Sequence, residues 1–307
     1  MTPSARLVSF IDPLGHAGLW AGLYCVGALV CFAQLSGLGP TSVVPSPSLI
    51  LSVLFTATGA YALDRVKLRS AWIDPADIVA QPRRYAFLTR HAGAVRAGAI
   101  LSLIAGALVG LRVSPLAPFA SLVSAAGVIA YAARPRRHAP RPKDIGWLKN
   151  AYVALGIGGF VALAAIEESR NRGSLAGLSL SGAITHAARS LPVLAALGLL
   201  VVRVLLDAAL CDIDDEPADR RFRTTTFSTL FGPRRAWLYA GFGRAVLITL
   251  TLLARPCPWP ARLAWAGAMF LGTLALRVRK PDHLRDLVDV RLPLEAVATT
   301  VALSLTA

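Results

Sequence analysis

The chain has 307 residues, of which 55% are hydrophobic and only 16% charged, and its mean hydropathy is +0.58. This composition excludes an ordinary soluble globule and predicts a polytopic membrane protein. Its four cysteines, Cys25, Cys31, Cys211 and Cys257, show no CxxC or CxxH spacing, which argues against a disulfide framework or a zinc site; the formal net charge of +15 raises nucleic-acid binding, a reading that the placement of the cations removes.

A helix needs about 20 apolar residues to cross the hydrocarbon core. In chain order the candidate segments are 16–36, 46–64, 91–111, 115–133, 148–166, 191–211, 236–254, 259–277 and 292–306. The first is too long for the core of a secretion signal and has only Arg6 on its basic flank, so it reads as a retained helix. The second and ninth are the weakest, each being short or carrying a polar residue. The prediction is therefore an all-α membrane protein in which residues 1–307 form a single transmembrane domain of nine helices around a central apolar cavity.

The cations fix an orientation. With the N-terminus in the cytoplasm, the odd-numbered loops hold only Arg112, Arg170, Arg172, Arg189, Arg255 and Arg262 of the 32 Lys and Arg. Arg96, Arg203 and Arg244 fall inside helices, and every other cation falls on the cytoplasmic side. This is the positive-inside pattern. It predicts an integral protein of the bacterial cytoplasmic membrane, with functional loops at about 65–90, 134–147 and 212–235 on the inner face, and no role in binding nucleic acid.

A weak repeat supports two four-helix halves plus a ninth helix. LDRVKLR after the second segment is echoed by ADRRFR after the sixth, and RPRRHAPRPKD after the fourth by RVRKPDHLRD after the eighth. Within the segments, Arg203 and Asp207 stand at i, i+4 and can pair on one helix face. Arg96 and Arg244 lie near segment starts and are expected to snorkel to the interface.

The sixth segment ends in CDIDDEPADRR. On a continuous helix Asp212, Asp215 and Asp219 share a face. Clustered carboxylates repel unless a cation lies between them, and Mg2+ binds through one or two carboxylates together with substrate phosphates. A magnesium–diphosphate site is one reading; a solvated acidic loop is the other. Pro217 predicts a helix break that sets Asp219 on a separate turn. Downstream, Arg220, Arg221 and Arg223 precede TTTFSTLFGPRRAW, and cations so placed suit the remaining oxygens of a diphosphate.

The stretch from Cys211 to Ala236 resembles the second aspartate-rich motif of the UbiA-type membrane prenyltransferases: DxxDxxxD, a basic stretch, Thr-Leu, then Leu-Gly-x-x-x-Ala. Asp212, Asp215 and Asp219 match the acids, Thr226-Phe227 stand at Thr-Leu, and Phe231-Gly232 with Arg235-Ala236 match the tail. The family's first motif, NDxxDxxxD, is reduced here to AYALDRVKL: Asp64 and Arg65 match its centre, while Ala60, Tyr61 and Leu68 replace the Asn and two Asp. Asp74 and Asp77 either compensate or cap a loop helix, Asp74 before Pro75 being an N-cap and N1 pair.

The resemblance implies a Mg2+-dependent transfer of an isoprenyl group from an isoprenyl diphosphate to an aromatic or other lipophilic acceptor. It implies metal ligands Asp64, Asp212, Asp215 and Asp219, with Asp64 and Asp215 catalytic, and diphosphate contacts from Arg65, Lys67, Arg134, Arg137, Lys143, Lys149, Arg220 and Arg223. For the basic loop the competing reading is attraction to anionic lipid head groups, and Asn150 can bond either substrate or a neighbouring helix. The eroded first motif leaves open a protein that binds a lipid diphosphate without turnover. A small-molecule transporter is a third reading, one that leaves the acids and arginines unexplained.

Overall fold

The computed structural model describes residues 14–38, 44–68, 73, 75–132, 145–172, 174–222, 224–255, 257–277 and 284–305. Among these, regular structure is helical apart from one isolated parallel bridge between Ile145 and Thr225. The long helices are α1 (Leu19–Ser36), α2 (Pro47–Val66), α5 (Ala92–Gly110), α6 (Ala117–Ala132), α7 (Gly146–Arg172), α9 (Leu191–Arg221), α11 (Pro233–Leu253), α12 (Trp259–Arg277) and α13 (Leu284–Ser304). Shorter ones lie between them: α3 (Pro75–Ala80), α4 (Pro82–Arg90), α8 (Leu180–Arg189) and α10 (Phe227–Phe231).

Local chemistry sets several starts. The Ser46 side chain accepts from the Leu49 N–H ahead of Pro47, and Pro192 follows Ser190 at the head of α9. Among the described residues, six helices are long and apolar enough to cross a membrane: Leu19–Ser36, Pro47–Val66, Ala92–Gly110, Leu148–Arg172, Leu191–Arg221 and Pro233–Leu253. Apolar side chains of α5 and α6, such as Leu101, Leu108, Phe119 and Leu122, face outward, as lipid contact requires. The remaining candidate segments are helical as α6, α12 and α13, although α6 has only 16 residues.

Consecutive long helices pack on one another, and α13 returns to α1. Helix α1 also touches α2, α7 and α9, so it lies inside the bundle: 72% of its apolar window is buried, against 11% for α5. Two hubs organise the rest. Helix α2 holds α1, α5 and α6; α9 holds α7, α11, α1 and α13. Close approach needs small residues. A Cβ on Gly27 of α1 would meet Pro293 N at 2.7 Å, and one on Gly59 of α2 would meet Ala99 O at 2.6 Å.

Two expectations are corrected. Pro217 does not break its helix, and α9 runs unbroken for 31 residues. Its missing N–H falls on the exposed side near the helix end, where the lost bond costs least. The loop after α2 contains α3 and α4, the first of them the loop helix that Pro75 opens. Arg244 does not reach an interface: it is 3% exposed and donates to Asp207.

Candidate functional site

The site is built at the end of the bundle where α2 and α9 terminate and α7 begins. At about 1.5 Å per residue, α9 is on the order of 46 Å long, beyond the roughly 30 Å hydrocarbon core, so its acidic end projects past the apolar span. Because the helix is continuous, Asp212, Asp215 and Asp219 fall within an arc of about 60°.

That face is covered. Asp212 is 1% exposed, accepting from Lys149 Nζ at 2.6 Å on Oδ1 and from Asn150 Nδ2 at 2.9 Å on Oδ2. The Asp212 carbonyl accepts from Ser228 Oγ at 2.6 Å. Asp215 Oδ1 accepts from Gln81 Nε2 at 3.3 Å, and the Gln81 oxygen accepts from Arg84. Helix α3, just before Gln81, packs on α9, so the loop of the first half roofs the acids of the second. Asp219 is buried, and among the described residues its Oδ2 has no hydrogen-bond partner; Asn150 Oδ1 is likewise buried and unpartnered among them. Thr226, buried and closing a capping box with Thr229, starts α10 beside these acids.

The first-half arm is organised differently. Lys67 Nζ donates to Asp64 Oδ1 at 2.6 Å, and Arg65 Nε lies 4.0 Å from Asp64 Oδ2. Arg65 also donates to Tyr61 Oη at 3.0 Å, with its guanidinium 4.8 Å from the Tyr61 ring centroid. Lys67 adopts φ 52°, ψ 160°, a region that side chains rarely occupy. Its carbonyl accepts from Arg96 Nε at 2.8 Å, which holds the strained turn. Tyr85 is buried beneath; burial pushes its phenol up, and Arg65 beside it pulls the other way. Tyr131 lies within electrostatic reach of Lys149, Asp64, Arg65 and Asp212, which brings the two arms together.

Asp64, Arg65, Lys67, Lys149, Asp212, Asp215 and Asp219 thus line one end of the bundle. Arg220 is exposed and donates to Glu216, away from the buried acids. Arg134, Arg137, Lys143, Arg223 and Asp74 lie outside the described residues. Asn150 bonds Asp212 on the neighbouring helix, one of its two expected roles. Gln81, Arg84, Tyr85 and Tyr131 escaped the sequence reading; their roles come from tertiary contact, and no local spacing announces them.

Among the described residues no three Asp, Glu, His or Cys side chains converge on one point as a closed metal cage would need. An open Mg2+ site needs fewer, because substrate phosphates complete the shell. The hard oxygen donors and the buried, unpartnered Asp219 Oδ2 fit such an ion.

No protein-family model matches the chain, and no curated protein matches it. Solved structures do. A UbiA homologue from Aeropyrum pernix K1 superposes with a TM-score of 0.61 at 14% identity, over 92% of this chain and 98% of that one. A UbiA homologue from Archaeoglobus fulgidus bound to DMAPP and Mg2+ gives 0.57 at 13% identity, over 94% and 99%. The same homologue bound to GPP and Mg2+ gives 0.56 at 14%, over 95% and 99%. The correspondence extends over nine-tenths or more of the chain, and by its architecture this chain is an integral membrane protein of the UbiA-type fold.

Proposed function

We propose that the chain is a Mg2+-dependent intramembrane prenyltransferase, moving an isoprenyl group from an isoprenyl diphosphate to an aromatic or other lipophilic acceptor. The observation that carries this reading is the helix face shared by Asp212, Asp215 and Asp219, with Asp212 and Asp219 buried, Asp219 Oδ2 unpartnered among the described residues and Lys149 directly on Asp212. The ligands named in the two Archaeoglobus structures, GPP or DMAPP with Mg2+, support the same chemistry.

Asp212, Asp215 and Asp219, with Asp64 opposite, would hold the metal. When bound, Mg2+ supplies positive charge to the diphosphate oxygens as the leaving group departs. Lys149, Arg65 and Lys67 offer cations to the oxygens that remain, with Arg134, Arg137, Lys143 and Arg223 of the adjoining loops as further candidates and Arg220 at the rim. Lys149 would then exchange Asp212 for a diphosphate oxygen. Asp64 and Asp215 are the carboxylates assigned to catalysis. Gln81 positions Asp215 through its 3.3 Å bond. The isoprenyl chain and its acceptor would occupy an apolar cavity within the bundle, with the N-terminus and the site facing the cytoplasm.

A second reading, diphosphate binding without turnover, draws on Lys67 and Lys149 already engaging Asp64 and Asp212. One experiment separates the two. Purified protein is given a radiolabelled isoprenyl diphosphate and candidate acceptors, with and without Mg2+, as wild type and Asp215→Ala. Transfer that needs Mg2+ and falls about 100-fold or more in the variant supports the enzyme. Binding without product supports the second reading, and indifference to both changes overturns the first.

A further inference from the structure

A second polar cluster lies deeper in the bundle, on another side of α9. Asp207 precedes Asp212 by five residues, about 7 Å along the axis and about 140° around it. Asp207 Oδ1 accepts from three guanidinium groups: Arg203 Nη1 at 2.5 Å, Arg244 Nη2 of α11 and Arg291 Nη2 of α13. Its Oδ2 accepts from Tyr24 Oη of α1 at 2.9 Å. Glu295 of α13 accepts from Arg203 Nη2 at 2.7 Å and lies 3.6 Å from Arg291 Nε. Four helices therefore meet at one carboxylate, and none of the six side chains is more than 7% exposed.

Among the described residues that contact one another in this cluster, the charges do not balance. Three arginines, which stay protonated, face two carboxylates. Asp289, two residues before Arg291, lies within electrostatic reach of Cys25, the neighbour of Tyr24 on α1. Arg203 has both acids as partners. Arg244 and Arg291 are less well satisfied: among the described residues Nε and Nη1 of Arg244 and Nη1 of Arg291 are buried with no hydrogen-bond partner, and Arg291 Nε has only the 3.6 Å ion-pair contact with Glu295. Buried donors without partners are rare and call for a ligand, ion or water, and an excess cation within a membrane span is costly unless something neutralises it.

We propose that the Arg244–Arg291 edge binds a monovalent anion, either an inorganic ion or the carboxylate of a lipophilic molecule. The two guanidinium groups share Asp207 Oδ1 through Nη2, so their remaining N–H groups stand close enough to act together on one small anion. The anion cancels the excess charge and ties α11 to α13. This site is separate from the acidic face of α9, and the inference does not rest on prenyl transfer.

The test uses the full chain in lipid nanodiscs at constant ionic strength, with the bulky HEPES sulfonate as the reference anion. Bromide and benzoate are the probes, and melting temperature is the readout. Wild type should show a saturable rise on the order of 2–4 °C once the probe exceeds its Kd about tenfold. Arg244→Gln, which balances the cluster, should lose that rise. Glu295→Gln, which adds to the excess charge, should enlarge it and keeps the test decisive if Arg244→Gln does not fold. A response to bromide identifies an inorganic ion, and a response to benzoate alone identifies a lipophilic carboxylate; both support the site. Indifference to both probes in wild type and Glu295→Gln overturns the proposal, as does an undiminished rise in Arg244→Gln.

Discussion

Lys149→Met tests the electrostatics of the acidic face. The ammonium lies 2.6 Å from Asp212 Oδ1, and that carboxylate is 1% exposed. At an effective dielectric of about 20 the Coulomb attraction at this distance is about 6 kcal/mol. Desolvation cancels much of it, and removing one partner of a buried pair costs about 3–5 kcal/mol. Asn150 still donates to Asp212 Oδ2, and the Lys149 side chain is 21% exposed, so the lower end, about 3 kcal/mol, applies. For a chain of this size that is roughly 6–12 °C in melting temperature. Methionine keeps the volume, so packing contributes little. Differential scanning fluorimetry in metal-free detergent should show the fall, and Lys149→Met/Asp212→Asn should regain most of it. Mg2+ alone should also rescue Lys149→Met, because Asp212 then lacks its ammonium on the face it shares with Asp219, but it should not rescue Lys149→Met/Asp219→Asn. A variant that melts like wild type, or a rescue indifferent to Asp219, would refute this reasoning.

Asp207→Asn strips three buried guanidinium groups of their shared anionic acceptor, and thermal unfolding should reveal a loss of about 3–5 kcal/mol; a wild-type melting temperature would contradict the network. Gly27→Leu places side-chain atoms where a Cβ already meets Pro293 N at 2.7 Å and Leu292 O at 2.8 Å. It should cost about 1–3 kcal/mol by parting α1 from α13, read as a lower melting temperature and easier proteolysis. Lys67→Gly relieves a backbone strain of roughly 1–3 kcal/mol while deleting the bond to Asp64. The melting temperature should not fall, whereas affinity for an isoprenyl diphosphate should drop about tenfold; loss of both together would make Lys67 merely structural.

The positions of the long helices were legible because hydrocarbon thickness imposes one length on every crossing helix. Segment 259–277 coincides with α12, and 91–111 differs from α5 by a residue at each end. Helix ends beyond the apolar run were not legible. Nothing in hydropathy says that α7 continues to Arg172 or that α9 carries Pro217 without breaking. The DxxDxxxD spacing gave the shared face of the acids, since i, i+3 and i+7 follow from helix periodicity alone. Their partners were harder. Lys149 and Asn150 are more than 60 residues away from Asp212, and Gln81 is 134 from Asp215. The deep cluster was half visible: Arg203 and Asp207 are one turn apart, but Glu295 and Arg291 join from α13 at 92 and 84 residues' remove. Arg291 read as a loop cation because the ninth segment was begun one residue after it, whereas its helix starts at Leu284.

The most direct test of the account is the affinity of the purified protein for a radiolabelled isoprenyl diphosphate, with and without Mg2+, for wild type and Asp219→Asn. The account predicts Mg2+-dependent binding that Asp219→Asn weakens about tenfold or more, because the substitution removes the buried carboxylate charge proposed to hold the ion. Equal affinity with and without Mg2+, unchanged by Asp219→Asn, would contradict it.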